Sequence, residues 1–219
     1  MAFHKNVQPS IANRSDIFFI DFQLLHYLDN QLIYKEFSMV NASNTVFRKC
    51  MYEPPAYCKE PSKTSCEYGA NKWLRNHHHQ LTWNQGIAPY HRIVDDVRTI
   101  LSFKPKVVFV KGTEKIKFFQ NLLLNSLDTK KDMSEQYNQI FHLPIYDLGG
   151  SHSFSSLKRL KQNTPTHIIA NFKRYCPQHN NTHCAVFNVL LLRYCYLQDI
   201  EKMRNAEAVE NIQHHLQPR

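Results

Sequence analysis

DIFFIDFQLL, residues 16 to 25, decides how the rest of the chain is read. It packs β-branched and aromatic residues without a clean polar alternation, the pattern of a strand covered on both faces rather than one with a wet side. Asp21 sits in the middle of it. Burying an unpaired carboxylate is costly, so Asp21 implies a metal, a cation or a strong hydrogen-bond network, unless it marks a sheet edge or a cap.

Outward from this strand, LDNQ (28 to 31) is a turn into QLIYKEFSMV, and NASN (41 to 44) is a second turn into TVFRKCMYE. Three consecutive strands with tight turns form an antiparallel meander. EPPAYCKEPSKTSCEYG, from 53 to 69, breaks the pattern with three prolines and two cysteines, and ANKWLRNHHHQ reads as a short helix. From Pro89, apolar residues at Ile93, Val94, Val97, Ile100 and Leu101 share one helical face, and proline suits the start of that helix. KVVFVKG (106 to 112) reads as a buried strand ending in glycine. TEKIKFFQNLLLNSL follows as a helix for which Thr113 is a candidate cap.

QIFHLPIYDLG is a fifth strand candidate, SSLKRLKQ a short basic amphipathic segment, and CAVFNVLLLRYCYLQDIEKM a long final helix. This order predicts an α/β domain with a mixed sheet, three antiparallel N-terminal strands, and helices on both faces. It is expected to span residues 16 to 205, between a flexible N-terminus (1 to 15) and a polar tail (206 to 219).

Composition agrees. In 219 residues, 42% are hydrophobic and only 5 are glycine, which supports a real core and excludes a fibrous or disordered chain. Lys and Arg outnumber Asp and Glu by 27 to 18, a formal charge of +9. That balance suits a polyanion such as single-stranded RNA or DNA, and equally an acidic protein partner. The N-terminal stretch has no apolar signal sequence, so the 6 cysteines are read in a reduced cytoplasmic or nuclear setting. No apolar run approaches the length of a membrane span.

Two constellations carry chemistry. Cys176, His179, His183 and Cys184 place thiols and imidazoles at short spacing, a donor set that suits tetrahedral zinc. Adjacent His183 and Cys184 diverge once a helix has begun, so three of the four point to one ion, and Cys58, Cys66 or Glu36 is available to complete the shell. The alternative makes Cys184 and Cys195 apolar-like core residues and leaves His179 in a polar loop. The second constellation is basic: Lys111, Lys115, Lys158, Arg159, Lys161, Lys173 and Arg174 form a phosphate track if loops bring them together, with Phe172 and Tyr175 available for stacking. His77, His78 and His79 cannot all face one site, and read as a solvated loop with one ring turned inward. The full glycine-rich pattern of a triphosphate loop is absent around Lys111 and Gly112.

Taken in order, the IDFQ strand, the HHQLTWNQGIAPY loop, the VFVKGTEK segment and the terminal HCAVFN helix resemble a divergent ribonuclease H-like domain of the DEDDh 3′ to 5′ exonuclease group. The chain also resembles a set of uncharacterised arthropod proteins in the order of these motifs. The resemblance covers roughly residues 16 to 197. It implies a site in which Asp21 and Gln23 match a metal-binding D-x-E, and His183, Ala185 and Asn188 match H-x-A-x-x-D. His183 would then take a proton from the attacking water, and Asn188 would replace a metal-binding carboxylate. Glu114 stands where the family's next acid is expected. Two Mg²⁺ or Mn²⁺ ions need several anionic oxygens, which Gln23 and Asn188 do not supply.

The chain also resembles the Maelstrom domain, a ribonuclease H-like family associated with piRNA-dependent transposon silencing. That family lacks the usual catalytic acids and carries a Glu, Cys or His, His, Cys zinc set. The resemblance implies Glu36, Cys176, His179 and Cys184 as ligands, without an HMG box. The expectation is a nucleic-acid-binding protein with a degenerate exonuclease site and a structural zinc. The alternatives are a metal-dependent exonuclease or RNase acting on single strands, and a protein-interaction adaptor.

Overall fold

A computed structural model describes residues 14–127, 138, 140–148, 164–176 and 183–215, with the side chains of 30 and 203–215 excepted. Five strands form one sheet: β1 (Ile17–His26), β2 (Leu32–Asn41), β3 (Phe47–Met51), β4 (Val107–Val110) and β5 (Ile145–Asp147). Their order is β3-β2-β1-β4-β5. β2 is antiparallel to both β1 and β3, while β1, β4 and β5 run parallel. The parallel half requires crossovers, and helices supply them: α1 (Cys66–His77) and α2 (Arg92–Ser102) lead into β4, and α3 (Thr113–Asn125) follows it. α4 (Thr166–Tyr175) and α5 (Ala185–His215) complete the chain. This is the ribonuclease H-like α/β topology.

The central strand explains why its sequence does not alternate. Phe18, Ile20 and Phe22 pack with Ile93, Val97 and Ile100 of α2 and with Phe119 of α3. Ile17 and Phe19 face the other way, against Val189 and Leu192 of α5. Because successive strand side chains alternate faces, Asp21 and Gln23 belong to the α5 side. Register carries this across to β2, where Ser38 lies opposite Asp21 and Glu36 opposite Gln23. A single parity therefore places four polar residues, Asp21, Gln23, Ser38 and Glu36, on the face that α5 covers.

Several boundaries depart from the sequence expectation. α1 begins at Cys66, inside the proline-rich segment, because the Ser65 side chain accepts the Tyr68 N–H at 3.2 Å and caps the helix. β5 shrinks to three residues. Pro144 has no N–H and biases its predecessor towards extended backbone, so pairing starts only after it, while residues 140 and 141 are helical. α4 lies in a stretch to which the sequence reading assigns no element, and buries Ile168 and Phe172 one turn apart against Phe187 and Leu190 of α5. α5 continues to His215, through residues 206 to 215 of the expected polar tail. The SSLKRLKQ segment lies outside the described residues.

Candidate functional site: a lysine on the central carboxylate

Asp21 is fully buried, and three donors converge on it. The Lys115 ammonium donates to Oδ1 at 2.5 Å, Asn188 Nδ2 to Oδ2 at 2.7 Å, and Gln23 Nε2 to Oδ2 at 3.2 Å. An ionised carboxylate only accepts, which fixes both amides with their nitrogens towards it. Lys115 comes from the first turn of α3 and also donates to the Phe22 carbonyl at 2.6 Å. Lys111, just past β4, reaches Asn188 Oδ1 at 3.3 Å. Gly112 lets the chain turn between these two lysines: its φ of 97° is ordinary only for glycine. Asp147, at the end of β5, accepts the Gly112 N–H at 2.8 Å and the Thr113 hydroxyl at 3.0 Å. It thus holds the start of α3, a task the sequence reading gave to Thr113.

Glu114 is exposed, and its carboxylate folds back over Gly112, where an added Cβ would lie 2.5 Å from Oε1. His183 contributes its backbone to the Asp21 network, accepting from Gln23 Nε2 at 2.7 Å, while its ring lies 4.5 Å from that of His78. Of the three consecutive histidines, His77 is exposed, His78 half-buried and His79 buried. His79 accepts the Leu81 N–H at Nδ1, so Nε2 carries the proton and donates to the Leu24 carbonyl at 3.2 Å. Burial holds His79 down to about 4 and His78 to about 3, so both rings are neutral near pH 7. A cleft of about 360 Å³ opens beside this network, lined among others by Gln23, Leu74, His78, Lys111 and Lys115.

On the same sheet face, one strand over, lies a second cluster. Glu36, Cys176 and Cys184 are buried, with their ligand atoms all within 4.8 Å of one another. Among the described residues no other three His, Cys, Asp or Glu side chains are so grouped. The two sulfurs are 3.6 Å apart, and Cys184 Sγ is 3.1 Å from Glu36 Oε1. Two thiolates on one tetrahedral zinc stand roughly 3.8 Å apart, so the spacing fits a metal ion. The hydrogen bond with Cys176, then burial and the Glu36 charge, push the Cys184 thiol well above its usual range. A divalent cation would relieve that crowding of acidic groups. Glu36 Oε2 also accepts the Ala185 N–H at 2.9 Å, capping α5 with a carboxylate.

The sequence-nominated residues therefore separate into groups. Asp21, Gln23 and Asn188 meet, with the His183 carbonyl; Glu36, Cys176 and Cys184 meet beside them. His179, Lys158, Arg159 and Lys161 lie outside the described residues. Lys173 and Arg174 are exposed on α4, away from the lysines at Asp21 in sequence and element. Phe172 is buried edge-on to Phe187, and Tyr175 stacks on Phe47 at 4.2 Å, so neither offers the open platform expected of it. What sequence reading missed is the meeting of Lys115 and Asp21: a lysine one turn into an amphipathic helix looks like surface. All six cysteines are free, and among the described residues no helix is long and apolar enough to cross a membrane. No protein-family model matches the chain, and no curated protein matches it in sequence.

Proposed function

We propose that this protein binds nucleic acid through a ribonuclease H-like domain whose exonuclease-type site no longer hydrolyses, with a structural zinc at Glu36, Cys176 and Cys184. The observation that carries the reading is the Lys115 ammonium on Asp21. Two-metal hydrolysis collects cations on converging carboxylates. Here the Asp21 carboxylate accepts from an ammonium and two amides, and Gln23 and Asn188 bring no charge. Descent from a DEDDh-type site accounts for the positions of Asp21, Gln23, His183 and Asn188. A Maelstrom-like history accounts for the thiol and carboxylate set, with His179 as the fourth ligand.

Nucleic-acid binding is supported by the +9 charge and by the cleft beside Lys111 and Lys115. Phosphate contacts make affinity fall steeply with salt. Labelled single-stranded RNA and DNA should bind the chain in a salt-dependent way, remain uncut with Mg²⁺ or Mn²⁺, and bind more weakly to Lys111→Glu. Cleavage by the parent that is lost in Asp21→Asn and His183→Ala would restore the nuclease reading. Binding that ignores both salt and Lys111→Glu would leave the protein adaptor.

A further inference from the structure

We infer that the exposed face of α1, carrying Trp73 with His77 and leading to His78, is a stacking platform for unpaired bases of single-stranded nucleic acid at the mouth of the Lys111 and Lys115 cleft. The inference rests on the nucleic-acid reading above and gives it a place and a strand type. Trp73 is 57% exposed, whereas the other tryptophan, Trp83, is 5% exposed in the core. On α1 no other large apolar residue is exposed, so the indole stands alone on that helix.

The rings around it are arranged in file. His77 lies one helical turn on, its ring centroid 5.8 Å from that of Trp73. The backbone leaves the helix at His78, which turns its ring near-parallel to the indole, at 6.4 Å and 24°. His78 in turn lies 4.5 Å from His183 and lines the cleft that holds Lys111 and Lys115. A run of π-faces thus leads from solvent to the Asp21 corner. Burial keeps His78 neutral, which makes it a stacking surface rather than a second cation beside the lysines.

One turn before Trp73 stands Gly69, where an added Cβ would meet nothing within 4 Å, so the approach to the indole is open from that side. Exposed Lys72 and Arg75 stand on a neighbouring face of the same helix and add positive charge that complements a polyanion. Aromatic faces tracked by basic side chains are what sequence-tolerant single-strand binding uses, because every base has a π-face. In a duplex those faces are already stacked.

The test uses the full chain with fluorescent oligo(dT) and oligo(U), a duplex of equal length, and an abasic strand of equal charge. Single strands should bind and quench tryptophan emission, and the duplex and abasic strand should bind more weakly. Trp73→Ala should lose roughly 5- to 100-fold in single-strand affinity with the salt slope unchanged, and should bind the abasic strand as the parent does. Trp73→Phe keeps a ring, and should retain most of the affinity while losing the quench. Circular dichroism checks that both variants fold. Equal binding of bases by the parent and Trp73→Ala, or abasic binding as tight as base binding, overturns the platform and leaves the nucleic-acid reading standing. A parent that binds no nucleic acid removes that reading, and the platform with it.

Discussion

At Asp21 a residue that looks like a metal ligand in the sequence is an internal ion pair in the fold. Lys115 and Asp21 are both withdrawn from water, with side chains 13% and 0% exposed. Removing one partner of such a pair leaves a buried charge, so Lys115→Ala should destabilise the protein by about 3–5 kcal/mol. Replacing both charges, with Lys115→Met and Asp21→Asn together, should recover most of that loss in urea unfolding. A single variant as stable as the parent would contradict the pairing. His79 offers a pH signature of its own. Its folded value of about 4 lies below the ordinary 6.5, so the folded state resists protonation. The stability it contributes is complete above the ordinary value and is lost as pH falls towards about 4, by roughly 3 kcal/mol. Urea titrations at about pH 7 and about pH 5 should show the parent losing more stability than His79→Gln over that interval.

At the scale of elements, α1, α3 and α5 start where a side chain supplies an acceptor, and for two of them that side chain lies far away in sequence, which is why boundaries read from sequence drift. Ser65 starts α1 and is local, so its signal was present in the chain. α3 and α5 are held by Asp147 and Glu36, residues on strands that no local pattern connects to them. The apolar face of α2 was legible because Ile93, Val97 and Ile100 recur at helical spacing and bury together. α4 was missed although Ile168 and Phe172 stand at helical spacing; its buried face is only two residues wide and has meaning only against α5. Within α1, Gly69 sits in open space with nothing that requires glycine. Gly69→Ala should therefore stabilise the protein by about 0.5–1 kcal/mol, read as a higher unfolding midpoint. A lower midpoint would mean that something closes over that face.

For the molecule as a whole, the Glu36, Cys176 and Cys184 corner joins β2, the end of α4 and the start of α5. It also fixes the His183 carbonyl and Asn188 over Asp21, so the two polar clusters are mechanically one. A metal bound there stabilises only the folded state, and its loss should spread. Protein purified without chelator should carry about one equivalent of zinc. Stripping it, or making Cys184→Ser, should lower the thermal midpoint and cost on the order of several kcal/mol. Less than about half an equivalent, or a midpoint indifferent to chelation, would count against the clip.

By itself the sequence determined the strands of the sheet: the doubly covered strand, read at residues 16 to 25 and found at Ile17–His26, the meander after it, and the alternation of helix and strand in the other half. Those signals are local, written in the period of apolar residues and in turn chemistry. It also nominated Asp21, Gln23, Asn188 and the thiols by residue type. Only the tertiary structure decided what they do. Lys115 is separated from Asp21 by 94 residues, and Glu36 from Cys184 by 148. Whether a buried carboxylate meets a metal or an ammonium depends on which elements the sheet order brings together. Strand parity put Asp21, Gln23 and Glu36 on one face, where α5 covers them. α3 packs on the opposite face, yet its first turn brings Lys115 to Asp21, while the end of α4 and the start of α5 bring Cys176 and Cys184 to Glu36.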